Sequence, residues 1–282
     1  MPEIDAVAAS GDATQLDRLR ARLRALAPVT VAFSGGADSS FLAWVANDTL
    51  GPGACDVVTA VSPSLATDEL DDCRALAAEW GLAWRTVATN EMERAAYRIN
   101  DGDRCFHCKS ALMDALDPII ESTASNTAAT IVLGVNVDDL GDHRPGQRAA
   151  AERGAAFPLL DAGFTKADVR SWSRTLGLRT WDKPAAACLA SRLPYGTEVT
   201  VGVLSRVDRA EAALHRLGYA ALRVRHYDDT ARIEVPVDDL ATIVAQRDAV
   251  IAAVRAVGYR YVTLDLEGLR SGNLNAALDQ RT

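Results

Sequence analysis

The chain has 282 residues, 49% of them hydrophobic, and a formal net charge of −8. That is enough apolar material for one large domain plus a smaller one, and no apolar run approaches the ~20 residues that a membrane-spanning helix needs. The acidic balance excludes a non-specific nucleic-acid binder, whose affinity depends on a basic surface releasing counterions; neither nucleic acid nor membrane is expected as a partner. Leu16, Leu19, Leu23 and Leu26 recur at helical spacing before Pro28 and predict a leading helix. The segment preceding Pro28 is acidic and Ala-rich without a signal-peptide core, so the expected location is cytoplasmic. An apolar run from Val29 to Phe33 predicts a first strand, followed by a glycine-containing loop at 34–40 and a helix from Phe41 to Asn47. Further strands are predicted at 57–61, 84–87 and 130–135, with helices at 68–80 and 110–122 between them. Such alternation predicts an α/β fold, a parallel sheet with helices on both faces. Ligands in these sheets bind at the carboxyl ends of the strands, where loop 34–40, Ser62, Gly134 and Asn136 would converge. Residues 183–198 hold too many breakers for a regular element and read as an active-site loop and junction between domains at 1–182 and 199–282. Beyond it, helices at 202–217 and 238–257 and strands at 222–226, 232–235 and 261–266 predict a small α+β domain.

The loop after the first strand reads Ser34-Gly-Gly-Ala-Asp-Ser-Ser40. Gly35 and Gly36 allow the backbone N–H groups to turn toward an anion, while Ser34, Ser39 and Ser40 add hydroxyls at the positive end of a helix dipole. No lysine follows the glycines and their spacing fits neither the Walker nor the dinucleotide pattern, so a phosphate is expected here without a basic side chain. The loop resembles that of the PP-loop, or N-type, ATP pyrophosphatases. The resemblance implies an adenine nucleotide α hydrolase-like fold that holds the pyrophosphate of ATP while AMP passes to a substrate oxygen. It also implies that Asp38 helps hold Mg2+, a hard cation suited to carboxylate oxygen.

Five cysteines, an odd number, do not read as a disulfide framework. Cys105-Phe-His-Cys108 lies between the predicted third and fourth strands, and Cys188 sits in the breaker-rich loop, so three thiols could meet at one site. The pair alone fits zinc, with His107 as a further ligand, or iron–sulfur or redox use. Three thiolates suit a 4Fe-4S cluster with one iron left open to carry an exogenous ligand such as hydrosulfide. Cys55 and Cys73, in strand-like and helix-like segments, read as buried inert thiols. None of His107, His143, His215 and His226 has triad or metal-helix spacing, and the tryptophans read as packing residues.

Together SGGADSS, RCFHCK, GVNVDDLGDHRPG and ACLASRLPYGTEVT resemble, across nearly the whole chain, the LarE-type ATP-dependent sulfur transferases of nickel-pincer cofactor biosynthesis. The resemblance implies that ATP adenylates a carboxylate of a pyridinium biscarboxylic acid mononucleotide and that sulfur then displaces AMP to leave a thiocarboxylate. Gly134, Asn136 and Asp138 are implied near the nucleotide, with Asp138 or Asp139 assisting magnesium. Ser191 and Arg192 are implied to shape the loop around the substrate, and Glu211, Arg223 and Arg225 to lie near its phosphate. Arg223 and Arg225 alternate on one strand and so share a face able to grip one anion. Sulfur comes either from a cluster on Cys105, Cys108 and Cys188, with sulfide or another sulfur donor as partner, or from Cys188 itself, which is sacrificed. A structural zinc stays open, as do tRNA thiolation and a non-enzymatic nucleotide-binding module. A homo-oligomer is implied by the resemblance alone.

Overall fold

A computed structural model describes residues 14–121, 129–141, 145–184 and 187–270. The leading helix, α1 (Gln15–Leu26), starts at a reciprocal cap in which Thr14 and Asp17 satisfy each other's backbone N–H, and it buries Leu16, Leu19 and Leu23. Strand β1 (Val29–Ala32), helix α2 (Ala37–Leu50), strand β2 (Cys55–Val61), helix α3 (Thr67–Glu79) and strand β3 (Ala83–Ala88) follow as right-sized βα units. A short helix α4 (Ala95–Arg98) and a long helix α5 (Arg104–Glu121) lead to strand β4 (Thr130–Val132). The four strands lie in the order β3-β2-β1-β4, all parallel. Chain progression reverses at β1, so β1 and β4 flank the switch point, and the crevice beyond their carboxyl ends is where such a sheet takes a ligand.

Both faces of the sheet are covered, as the near-continuous apolar strands require. Val57 packs with α1, α2 and α3 on one side while its neighbour Val58 packs with Leu112, Met113 and Leu116 of α5 on the other. Helices α6 (Pro145–Glu152), α7 (Pro158–Asp161) and α8 (Lys166–Thr175) complete these layers.

The second unit consists of α9 (Val201–Arg216), β5 (Arg223–Tyr227), β6 (Thr230–Glu234), α10 (Leu240–Ala245), α11 (Arg247–Ala256) and β7 (Tyr261–Leu264). Strand β6 is central, antiparallel to β5 and parallel to β7. Between the two units Tyr97, Leu189, Ala190, Leu193, Val199, Leu204 and Val207 form a core of their own, against which Cys108 and Cys188 pack.

Three expectations are adjusted. Strand β4 ends at Val132 rather than 135, because Leu133 N–H turns to the carbonyl of Ala156 outside the sheet. The helix expected from 238 to 257 is interrupted at Gln246, whose φ/ψ of −97°/17° leaves the helical region; Ile243 on one segment and Val250 and Val254 on the other still reach the same core. Most consequential, α5 begins at Arg104 rather than 110, which places Cys105 and Cys108 one turn apart on its first turn.

Candidate active site

The glycine loop is held by its own side chains. Ser34 N–H donates to Ser39 Oγ at 3.2 Å, and Ser39 Oγ donates to the carbonyl of Gly36 at 3.1 Å. Ser39 thus shapes the turn, and Ser40 is fully buried with a hydroxyl that lacks a partner among the described residues. Gly35 adopts φ +70°, and a methyl there would sit 2.8 Å from Cys73 Sγ. Burial pushes the Cys73 thiol up to about 11 and the Cys55 thiol up to about 12, which fits their reading as inert packing groups. Across the crevice, a methyl on Gly134 would lie 2.9 Å from the carbonyl carbon of Asp38 and from Ser39 N. Gly134 therefore lets the end of β4 approach the start of α2.

A basic side chain that local spacing does not reveal lies beside the glycine loop. Lys183 Nζ lies 3.7 Å from where a Gly35 methyl would be, and it pairs with Glu69 at 2.8 Å and Asp72 at 2.6 Å. Burial alone would lower its pKa, but these two carboxylates raise it on balance, so the cation persists. Lys183 lies in the breaker-rich loop, far in sequence from the glycines, so local spacing carries no signal of it.

Beyond β4, Asn136 is buried; its Oδ1 accepts from Asp138 N–H at 3.0 Å, and its Nδ2 has no partner among the described residues. A buried amide left unmatched at the switch point marks a place for a ligand acceptor. Asp138 accepts from Lys166 N–H at 2.7 Å at the start of α8, and Asp139 faces Lys166 Nζ at 3.3 Å. Asp38 lies in the first turn of α2. Arg144 and His143 lie outside the described residues.

The Cys188 loop is attached to the same end of the sheet. Leu189 N–H donates to the carbonyl of Ser64 at 2.9 Å, just past β2, where Ser62 Oγ accepts from Ser64 N–H at 3.2 Å. Cys108 and Cys188 are half-buried in one apolar core with Tyr97, and Cys105 is exposed at its edge. Burial, reinforced by the nearby Cys188 sulfur, pushes the Cys108 thiol up to about 12. Arg104 is buried among these thiols, donating to Asn100 Oδ1 at 2.5 Å and to the carbonyl of Ala190 at 2.9 Å. Burial opposes its charge, yet the Cys188 and Cys105 sulfurs raise its pKa on balance. Among the described residues no three His, Cys, Asp or Glu side chains close on one metal-ion position, so no zinc site with His107 is preformed. Of the three thiols, Cys108 and Cys188 share one core and Cys105 is exposed beside it, so thiolate donors for a cluster are near one another without a preformed three-ligand group among the described residues.

The residues expected to grip an anion are largely spent on holding this loop. Arg192 forms a two-pronged pair with Glu211, Nε to Oε1 and Nη2 to Oε2 both at 3.0 Å, with the two side chains only 9% and 7% exposed. It also donates to the carbonyls of Ala187 and Cys188, and Ser191 Oγ donates to the Cys188 carbonyl at 2.7 Å. Arg225 pairs with buried Glu234 at 2.8 Å and donates to the Ser191 carbonyl at 2.8 Å. Arg223, less buried, donates to the carbonyl of Arg270; burial and then the neighbouring Arg225 and Arg192 charges lower its pKa, the signature of a crowded cationic corner.

A protein-family model described as asparagine synthase matches residues 16–107, from α1 through the glycine loop to the first turn of α5. An uncharacterized protein of Synechocystis sp. is 45% identical over 267 residues, spanning 94% of this chain and 98% of its own. Pyridinium-3,5-bisthiocarboxylic acid mononucleotide synthase of Lactiplantibacillus plantarum is 37% identical over 266 residues, spanning 94% of this chain and 95% of its own. The chain belongs to the LarE-type sulfur transferase family. An uncharacterized protein of Methanocaldococcus jannaschii is more distant, 26% identical over 243 residues, with 86% and 91% covered. For a LarE-type chain, the division of these matches is informative: the asparagine synthase model covers only the third of the chain that holds the glycine loop, while the relatives also span Cys108, Cys188 and the arginine corner.

Two substitutions test this geometry. Gly134→Ala forces β4 and α2 apart and costs roughly 1–3 kcal/mol in ATP affinity, read by calorimetric titration. Glu211→Gln leaves Arg192 buried without its counter-charge and destabilises the fold by about 3–5 kcal/mol, read by thermal denaturation.

Proposed function

We propose that this chain is an ATP-dependent sulfur transferase acting on pyridinium-3,5-biscarboxylic acid mononucleotide. The observation that carries the reading is the attachment of the Cys188 loop to the nucleotide end of the sheet, through Lys183 at Gly35 and Leu189 at Ser64. The 37% identical relative, named for the bisthiocarboxylic acid product, supplies the substrate class.

A carboxylate oxygen is a poor leaving group, and adenylation remedies this. The substrate carboxylate attacks the α-phosphorus of ATP, the bond to the bridging β-oxygen breaks, and pyrophosphate leaves. Backbone N–H groups of the glycine loop, the N-terminus of α2 and Lys183 would hold that pyrophosphate, and Asp38 would contribute a carboxylate oxygen to its Mg2+. Arg223, at the cationic corner, would hold the mononucleotide phosphate, with Arg192 and Arg225 adding long-range field from their buried pairs. Sulfur then adds to the activated carbonyl carbon, and AMP departs with the oxygen. Cys105, Cys108 and Cys188 would hold a 4Fe-4S cluster, which supplies inorganic sulfide when bound.

Three measurements follow. Lys183→Met slows pyrophosphate release on the order of 100-fold while leaving thermal stability near that of the wild type, in keeping with the loss of a charge-assisted phosphate contact. Arg223→Ala raises KM for the mononucleotide with ATP binding intact; a loss of ATP binding instead would refute the assignment of that corner. Protein isolated without oxygen contains iron and labile sulfide, which disappear in Cys105→Ser and Cys108→Ser. Iron-free wild type that loses the mass of one hydrogen sulfide on turnover would instead establish sacrifice of Cys188.

A further inference from the structure

The hydroxyls of Tyr97 and Ser64 lie 2.5 Å apart, and both residues are buried, at 1% and 3% exposure. Two hydroxyls sharing one hydrogen bond use one of their two protons. Among the described residues neither oxygen makes a second hydrogen bond, so one O–H remains to be matched inside the core. An unmatched buried donor is costly and calls for an acceptor; Glu91, buried with an Oε2 that also lacks a partner among the described residues, and the Cys188 sulfur are the candidates near it.

The surroundings restrict what that acceptor is. Tyr97, Cys108 and Cys188 share one apolar core. Ser64 is tied to the same loop through its own carbonyl, which accepts from Leu189 N–H at 2.9 Å. A single residue therefore fixes both the hydroxyl pair and the backbone that carries Cys188. Its neighbour Ser62 follows the carboxyl end of β2, the end of the sheet at which the glycine loop follows β1.

We propose that Tyr97, oriented by Ser64, donates a hydrogen bond to the sulfur presented at Cys188, and so is a positioning residue for sulfur transfer with no part in adenylation. The inference rests on the sulfur-transfer reading. No bond is made or broken at Tyr97; its hydroxyl holds the sulfur's negative charge and direction as the sulfur approaches the activated carbonyl.

The two half-reactions separate the roles. ATP–pyrophosphate exchange with pyridinium-3,5-biscarboxylic acid mononucleotide reads adenylation, and thiocarboxylate formation in a single turnover reads sulfur transfer. Tyr97→Phe keeps the ring in the core and is expected to slow thiocarboxylate formation about 10- to 100-fold, the worth of a hydrogen bond to a charged atom, with exchange unchanged. Ser64→Ala is expected to have a smaller effect in the same direction, and the double variant to be no slower than Tyr97→Phe. A packing role would instead lower both half-reactions and make the two changes additive. Sulfur transfer at the wild-type rate in Tyr97→Phe, or a parallel fall in exchange, overturns the proposal. Should Tyr97→Phe not fold, an unchanged single turnover in Ser64→Ala overturns it equally. Wild-type protein that exchanges pyrophosphate but never forms a thiocarboxylate defeats the sulfur-transfer reading and this inference with it.

Discussion

The buried ion pair between Arg192 and Glu211 is the constraint from which the site follows. Both groups are nearly free of solvent, so neither can be released without leaving an unpaired charge in a medium of low polarity. Each does a second job with its remaining hydrogen-bonding capacity. Arg192 donates to the carbonyls of Ala187 and Cys188, while Glu211 accepts from Val224 N–H at 2.8 Å on β5. The reactive loop, which lacks a regular backbone ladder, is thereby fixed by a helix and a strand of the second unit. Arg225 adds a parallel tie from β5 to the Ser191 carbonyl, backed by Glu234.

This arrangement separates two kinds of anion binding. At the glycine loop the field comes from oriented backbone dipoles and one lysine, a shape suited to a chain of phosphates that arrives and departs. At the other end it comes from guanidinium groups, two of them locked in buried pairs and one, Arg223, whose charge is disfavoured first by burial and then by its cationic neighbours. A cation disfavoured by surrounding cations gains from an incoming phosphate, so the corner is poised for an anion without exposing a large basic surface. Under the proposed function, the chain's overall acidity is compatible with two phosphate-binding places.

Much of this was readable before coordinates. The alternation of apolar strands and helical periods gave the parallel sheet, because strands buried on both faces cannot hide their composition. The glycine loop was readable because its chemistry is local: two glycines, three serines and a helix start within one segment. Lys183 was not readable, since its proximity to Gly35 is created by the fold rather than by spacing. Arg192 and Glu211 were candidates from the resemblance, but their pairing was not readable, since a loop residue and a helix residue 19 positions apart carry no spacing that joins them. The start of α5 at Arg104 follows a turn at Asp101, Gly102 and Asp103 that leads directly into the helix, with Asp101 Oδ1 accepting from Asp103 N–H at 2.9 Å.

Lys183 and Cys188 belong to one short segment, so what happens to the lysine bears on the thiol. In the present arrangement Lys183 is shared by Glu69 and Asp72. Were it to turn to a triphosphate, Asp72 would keep Arg179, which it already contacts at 2.6 Å, and Glu69, 26% exposed, would be met by water. Neither carboxylate would be stranded, so the exchange of partners costs little beyond side-chain ordering. By contrast Arg192 and Glu211 have no such alternative partners in solvent. The segment therefore has one end that can exchange partners at the nucleotide and one end that cannot move away from its sulfur-bearing position. Under the proposed function, phosphate binding would draw on the first without disturbing the second, as adenylation and sulfur transfer at one carboxylate would require.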